Sequence, residues 1–162
     1  MTTYHHRQIA WATLVGFAAA LVTQGGTFVR NMRRGQQVRA LMSLPWAASL
    51  VVSTGLFSWL DTDVSDGEFA ASFAYGTLRR RIAVGEIESA EVVTVPWYYG
   101  WGARLTPRGW LGGNRMGWLY NVWGRRAVAL HLREGRVFTV GSDEPEALLA
   151  AIEAARTAAK AA

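Results

Sequence analysis

The chain of 162 residues contains no cysteine. This absence excludes thiol catalysis and thiolate metal sites, and it removes the disulfide evidence that would have indicated a compartment. Acidic residues are also absent from the first sixty positions, because all twelve Asp and Glu residues lie at or after Asp61. The formal net charge of +5 therefore belongs to residues 1–60, which contain five arginines: Arg7, Arg30, Arg33, Arg34 and Arg39.

Charges are missing altogether from two apolar segments, residues 8–29 and 40–60, of 22 and 21 residues. At about 1.5 Å per residue, each segment is long enough to cross a hydrocarbon core of about 30 Å. Trp11, Trp46 and Trp59 lie near segment ends, where amphipathic rings favour the headgroup layer. Residues 1–60 are therefore predicted to form a transmembrane hairpin with helices at about 8–29 and 40–60. A basic excess around two such segments is typical of a membrane protein and not of a nucleic-acid partner.

Two other interpretations of these segments are open. In the first, they are buried helices of a soluble bundle, although such helices normally carry charges on a solvent face and these segments carry none. In the second, residues 1–20 are a cleaved signal peptide. The orientation in the cell membrane is open as well. The connection "RNMRRGQQVR" favours a cytoplasmic loop, whereas "LRRR" at 78–81 adds positive charge on the other side. The pattern therefore favours neither side for the C-terminal domain.

After the hairpin, residues 61–162 show short alternating or β-branched runs separated by turn signals. Asp66-Gly67 is the strongest turn signal, because glycine accepts the positive φ of a primed hairpin turn, and Glu134-Gly135 is a second. The last segment, at about 143–159, is predicted to be a helix with Asp143 as its N-cap. Six or seven antiparallel strands and one C-terminal helix are the expected content of this domain.

The runs "LRRRIAVGEIESAEVV", "YGWGARLTPRGW", "LYNVWG" and "GRVFTVGSDEPEALLAAI" resemble a bacterial family. It is the pleckstrin-homology-like (PH-like) module found behind two membrane helices in small membrane proteins. The resemblance covers residues 57–153. It implies an α+β protein with a PH-like antiparallel β-barrel of about seven strands, capped by a C-terminal α-helix. It implies no catalytic activity.

This sequence departs from the family pattern between "TPRGW" and "LYNV". The tripeptide "GWL" occurs twice, at 109–111 and 117–119, with "GGNRM" between the copies. The simplest interpretation is an insertion of about eight residues that lengthens a loop, since loop closure entropy grows slowly with length.

The stretch 97–124 combines five of the eight tryptophans and seven of the 17 glycines with three arginines and no acid. Arginine beside exposed aromatic rings can bind an anionic headgroup, anchor at the bilayer interface or stack on a nucleic-acid base. For a domain tethered next to lipid, docking at the bilayer interface is favoured over stacking on bases. The alternative, favoured for most of the rings, is that Trp97, Trp101, Trp118 and Trp123 pack in the core or against neighbouring strands. The candidate ligand-binding residues are Trp101, Arg104, Arg108, Trp110 and Arg115. Of these, Trp110 is expected to be exposed.

Catalytic and metal sites are not expected. The Gly-rich strings match neither a Walker A loop nor a dinucleotide fingerprint, and the aspartates of "DTDVSDGE" lack the spacing of a calcium loop. His5 and His6 lie at a terminus that we expect to be mobile, and His131 stands alone in a strand. The acidic first hairpin would repel phosphoinositide phosphates. The sequence predicts no enzyme and no cofactor.

Three functional hypotheses follow. The first is a membrane-anchored binding or assembly module that recruits a protein partner, or a second copy of the chain, through a groove or an edge strand. The alternative is binding of a lipid headgroup or another anionic ligand through residues 97–126. A transport pore is disfavoured, because neither apolar segment contains an ionisable residue.

Overall fold

The computed structural model describes residues 2–100, 102–105 and 117–161. This part of the chain forms an α+β fold, in which two apolar helices near the N-terminus are followed by two β-sheets and a C-terminal helix. The helices are α1 (Trp11–Arg33), α2 (Gln37–Phe57) and α3 (Pro145–Ala161). The strands are β1 (Thr2–Ile9), β2 (Trp59–Ser65), β3 (Glu68–Phe73), β4 (Arg79–Ala83), β5 (Ile87–Thr94), β6 (Gly102–Leu105), β7 (Trp118–Asn121), β8 (Arg126–Leu132) and β9 (Arg136–Gly141).

Helices α1 and α2 overlap the predicted segments and are both long and apolar enough to span a membrane. Only 6% of the residues in the apolar stretch of each helix are buried, whereas the core helix of a soluble bundle is mostly buried. Helix α1 ends where Gly35 adopts a positive φ of 71°. There the Gln36 N–H bonds to the Asn31 carbonyl and the Gly35 N–H to the Met32 carbonyl, which is the Schellman pattern.

The first sheet is an antiparallel meander in the order β1-β2-β3-β4. The tight turn predicted at Asp66-Gly67 is confirmed, with φ of 49° and 75° joining β2 to β3. Strand β1 was not predicted, and the expectation of a mobile terminus at His5 and His6 is wrong. Both histidines lie in β1, which pairs with β2 from Ile9↔Trp59 to Thr2↔Ser65.

One ion pair and one histidine–carboxylate contact lie across β1 and β2. Arg7 lies opposite Asp61 and His5 opposite Asp63 in the register. Arg7 Nε donates to Asp61 Oδ1 at 2.6 Å, and His5 Nδ1 lies 2.5 Å from Asp63 Oδ1. Opposite charges placed directly across an antiparallel pair stabilise it. The acidic run of β2 is therefore partly neutralised by the N-terminal strand.

The second sheet has the order β5-β8-β9-β7-β6. Its strands pair antiparallel except β7 and β9, which pair in parallel because β9 lies between β7 and β8. Two glycines permit this close approach. A Cβ on Gly117 would overlap the Val137 carbonyl, and a Cβ on Gly141 would overlap the Asn121 side chain.

The two sheets and α3 enclose one main core. Phe69 and Phe73 from the first sheet pack with Tyr120 and Phe138 from the second, and Leu148 of α3 closes the cluster. The C-terminal helix is confirmed, two residues later than predicted. The sheets are not closed into a barrel, and the described residues after the hairpin include eight strands and not seven. The second sheet ends at β5 on one side and at β6 on the other, and neither strand pairs with the first sheet among the described residues.

Candidate functional site

The candidate ligand-binding residues lie mostly beyond what the structure describes. Trp101, Arg108, Trp110 and Arg115 fall outside the described residues, as does most of the proposed insertion at 109–119. Arg104 lies in β6 with its Cα opposite Leu119, and its backbone alone is described. These five residues therefore stay predictions, and the site that can be built from contacts lies elsewhere.

That site begins where the helices join the first sheet. A single residue, Ala10, separates β1 from α1, and a single residue, Ser58, separates α2 from β2. The Ala10 N–H donates to the Ser58 carbonyl at 2.9 Å, and both residues are buried. With no flexible linker, the hairpin and the β-domain are held in a fixed relation. We call this end of the two sheets, where α1 begins and α2 ends, the helical end.

Aromatic rings bind the junction together. Phe57, the last residue of α2, meets Phe73 of β3 edge to face with ring centroids 5.2 Å apart. Trp59, the first residue of β2, meets Tyr75 at 4.9 Å, and the Arg7 guanidinium carbon lies 5.2 Å from the centre of the Trp59 ring. Such ring pairs stabilise a contact beyond the area that they bury.

Two connections of the second sheet reach the same end. Gln8 of β1 donates from Nε2 to the Trp123 carbonyl at 3.0 Å, which places the β7–β8 turn beside the junction. The Val95 N–H donates to the Arg125 carbonyl at 2.6 Å, so the β5–β6 connection starts beside that turn. The connection ends at Gly102, where an added Cβ atom would lie 3.7 Å from the Phe57 ring.

Exposed aromatic side chains lie in the β3–β4, β5–β6 and β7–β8 connections. Tyr75 is 80% exposed, Trp97 is 79% exposed, and Tyr98 and Trp123 are also exposed. Trp118, at the start of β7, is about half exposed, with 49% of its surface accessible. None of the three rings that the structure describes in this stretch, Trp97, Trp118 and Trp123, is buried, so the expectation of a place in the core is wrong for them.

Positive charge accompanies the rings. Arg79 follows the β3–β4 turn, and Arg125 lies in the β7–β8 turn; both are exposed. No carboxylate among the described side chains pairs with either residue. Arg7 is different, because its hydrogen bond to Asp61 and the attraction of that carboxylate raise the pKa of Arg7 above its usual value. Arg7 is thus committed to an internal partner, whereas Arg79 and Arg125 face solvent.

The outer edge of β4 is a second candidate surface. In the described part of the chain, β4 forms one edge of the first sheet. The Val84 N–H donates to the Gly67 carbonyl and the Phe73 N–H to the Leu78 carbonyl, so the even-numbered residues of β4 bond to β3 in this register. The backbone groups of Arg79, Arg81 and Ala83 consequently point away from the sheet.

The histidines serve as structural contacts. His6 Nε2 lies 2.6 Å from Asp143 Oδ1 and His131 Nε2 lies 3.0 Å from Glu91 Oε1, and no group of three metal-binding side chains occurs among the described residues. Asp143, the predicted N-cap of α3, thus contacts β1. The Ser142 hydroxyl accepts a hydrogen bond from the Glu144 N–H at 3.0 Å.

Arg156 of α3 likewise serves the fold. It donates to the Ile87 carbonyl at 3.0 Å and to the Glu88 carbonyl, at the irregular start of β5. It also lines a groove of about 340 Å³, with Arg133 and Lys160, at the end of the sheets opposite to the helical end. Since Arg156 is occupied by backbone carbonyls and by Glu153, this groove holds two uncommitted cations at most.

The residues of the helical end were missed by sequence reasoning for different reasons. The alternation in "TTYHHRQI" and the matching "DTD" would have indicated β1 and with it Arg7. No sequence signal marks Tyr75, which adopts a positive φ of 59° without being glycine. Comparison adds no guidance: the chain matches no protein-family model and has no significant match among curated proteins or solved structures.

Proposed function

We propose that the protein is a membrane-anchored binding module that recruits a protein partner and catalyses no reaction. The observation that carries this proposal is the linker-free junction, in which Ala10 and Ser58 join two exposed apolar helices directly to the first sheet. Helices with such exposed apolar surfaces are stable in lipid and not in water. The hairpin in the cell membrane then holds the β-domain at a fixed height and angle.

The PH-like assignment is part of this proposal. Two packed sheets with a helix against the open core agree with that architecture in outline. The open edge between the sheets and the parallel β7–β9 pair depart from it. A fold of this kind does not carry function by itself, so the binding surface has to be argued from the residues of this chain.

The surface that we assign to the partner is the β4 edge. Its outward N–H and C=O groups can extend the sheet by one strand from a second protein, a common mode of recognition. Arg79, Arg80 and Arg81 are exposed on this strand, and only Arg81 has a described acidic neighbour, Glu68 Oε1 at 3.3 Å. An extended segment with acidic side chains is the partner that these charges favour. A charged edge that merely prevents aggregation is the competing explanation.

The test replaces Arg81 in the full chain, solubilised in mild detergent from its native membrane. Arg81→Pro removes one outward N–H without breaking a bond to β3, and Arg81→Gln is the matched control that keeps the N–H and removes the charge. A photo-crosslinking residue at position 80 should capture the same protein in the Arg81→Gln variant but not in the Arg81→Pro variant. A crosslinker at Ala154, on the exposed side of α3, controls for random capture. Equal capture by both variants would show that β4 is only a protected edge.

Binding of an anionic ligand through residues 97–126 is the second candidate function. The exposure of Trp97 and Trp118 favours it, because exposed rings can contact a ligand. The predicted contacts are Trp101, Arg104, Arg108, Trp110 and Arg115. Replacing the three arginines with glutamate should abolish binding of the ligand, and unchanged binding to anionic vesicles would exclude this function.

A further inference from the structure

We propose that the helical end is a lipid-headgroup site, in which Tyr75, Trp97 and Trp123 enter the bilayer interface and Arg79 and Arg125 bind phosphates of anionic phospholipids. This inference rests on the membrane anchor proposed above. It concerns the helical end of the sheets and a different class of ligand, although Arg79 also belongs to the β4 edge. Trp97, Trp123 and Arg125 lie within residues 97–126, and Tyr75 and Arg79 lie outside them.

The length of the helices places this end against the headgroups. Arg39 is the last charged residue of α2, and eighteen residues follow it up to Phe57. At about 1.5 Å per residue they extend about 27 Å, close to the roughly 30 Å of a hydrocarbon core. Phe57 then lies at the edge of the hydrocarbon region. Because Ser58 alone separates it from β2, the helical end has no room to stand away from the lipid.

The rings at this end have the chemistry of the interface. Tyrosine and tryptophan carry an apolar ring and a polar group, and both are enriched where lipid meets water. Tyr75, Trp97 and Trp123 occupy three separate connections of the chain. The Tyr75 ring meets Trp59, the Trp123 carbonyl accepts from Gln8, and the connection that contains Trp97 starts beside the turn of Trp123. On soluble domains, large contiguous exposed apolar surfaces are uncommon and mark binding sites.

Tyr75 gives the strongest single indication. Its backbone has φ of 59°, a conformation that costs free energy in any residue other than glycine. Strained residues of this kind concentrate at functional positions. The conformation holds the Tyr75 ring against Trp59 while Tyr75 remains 80% exposed. Leu78, three residues later in the same turn, is exposed as well. The turn thus presents an aromatic and an aliphatic side chain immediately before Arg79.

The charges select an anionic lipid. Arg79 and Arg125 lack a carboxylate partner among the described side chains, and Asp61, the acid nearest to the junction in β2, is engaged by Arg7. A guanidinium group binds phosphate oxygens in a forked arrangement, which makes arginine well suited to phospholipid headgroups. Two such groups beside three interfacial rings favour phosphatidylglycerol over a zwitterionic lipid.

Depth of insertion is measured first, on the full chain in nanodiscs. The chain lacks cysteine, so single-cysteine variants can be spin-labelled without further changes. Labels at Tyr75→Cys and Trp97→Cys should be more accessible to oxygen than to a water-soluble nickel chelate, whereas Glu86→Cys, at the opposite end of the sheets, should show the reverse. Aqueous behaviour at positions 75 and 97 would overturn the inference. A label at Val52→Cys, within α2, tests the membrane anchor itself. If this label is more accessible to the nickel chelate than to oxygen, the membrane proposal fails; if only the labels at 75 and 97 are, the headgroup site fails.

Lipid selectivity is measured second, in proteoliposomes of phosphatidylcholine with phosphatidylglycerol. Phosphatidylglycerol should be enriched among the lipids that co-purify with the protein. The Arg79→Gln/Arg125→Gln variant should lose this enrichment several-fold. The matched control, Arg133→Gln/Lys160→Gln, removes the same charge from the opposite end and should leave the enrichment unchanged. Equal enrichment in all three proteins would refute a headgroup site at the helical end.

Discussion

Phe73 should be the residue on which the coupling of hairpin and β-domain depends. Its side chain is fully buried, and its ring lies 5.2 Å from the Phe57 ring and 4.9 Å from the Tyr120 ring. It therefore joins the end of α2 to the core of the second sheet. A buried Phe→Ala change removes about 3–5 kcal/mol of stability. At about 4–8 °C per kcal/mol for a domain of this size, Phe73→Ala should lower the Tm by more than ~12 °C.

The assay is thermal unfolding in mild detergent, followed by near-UV circular dichroism. Phe69→Ala is the matched control, because Phe69 is equally buried and its ring meets that of Phe138 at 6.2 Å instead of that of Phe57. Both variants should lose similar stability. Only Phe73 should show coupling with Phe57→Ala in a double-mutant cycle, of about 0.5–1.5 kcal/mol. A Tm loss of a few degrees, or zero coupling to Phe57, would refute the view that this ring pair fixes the junction.

Three further predictions follow from single contacts. Gly117→Ala should prevent stable β7–β9 pairing, because its Cβ would overlap the Val137 carbonyl at a positive φ; a Tm equal to that of the wild type would contradict this. Burial, and then the negative charge of Glu144, raises the pKa of the Tyr4 hydroxyl above its usual value. The folded state therefore favours the neutral hydroxyl, and the stability that this provides is complete below pH ~10 and is lost as the pH rises through the folded-state pKa. Tyr4→Phe should flatten the alkaline decline in Tm, and an equally steep decline would exclude the effect. Because β1 pairs with β2, both termini should lie on the same side of sealed vesicles. A protease added outside should therefore cleave tags at both termini or at neither, and cleavage of one tag alone would exclude the β1–β2 pair.

Periodicity and length predicted the elements whose signals are local. The apolar segments are uninterrupted, the Asp66-Gly67 turn has its own conformational signature, and α3 carries an apolar face that includes Leu148 and Ile152. These signals need no knowledge of distant residues. Strand pairing is different, since the parallel contact of β7 with β9 depends on which strand lies between β7 and β8. No local pattern contains that information, so the parallel pair was not predicted; the predicted PH-like barrel is not confirmed, because the two sheets are not closed.

The candidate site was harder to predict than the fold. Composition directed attention to residues 97–124, and the exposure of Trp97 and Trp123 agrees with that emphasis. Arg7 and Tyr75 contribute through tertiary contacts with Trp59, and their sequence neighbours give no indication of it. A site formed from three turns and a helix end becomes visible only when the chain is folded.

The position of β1 has a consequence for how this chain folds. The pair Ile9↔Trp59 joins residues fifty positions apart, and α1 and α2 occupy nearly all the chain between them. Closing so long a loop costs conformational entropy, but two helices packed side by side and joined by the Schellman turn at Gly35 bring their outer ends together. Pairing of the two helices therefore lowers the entropic cost of forming the β1–β2 pair. A truncated chain that begins at residue 61 would lack β1 and the first two residues of β2, and it would expose the buried edge around Val64. The sheet that carries the β4 edge and the Tyr75 turn is consequently complete only when β1 is present, which is why binding by this domain has to be measured with residues 1–60 in place.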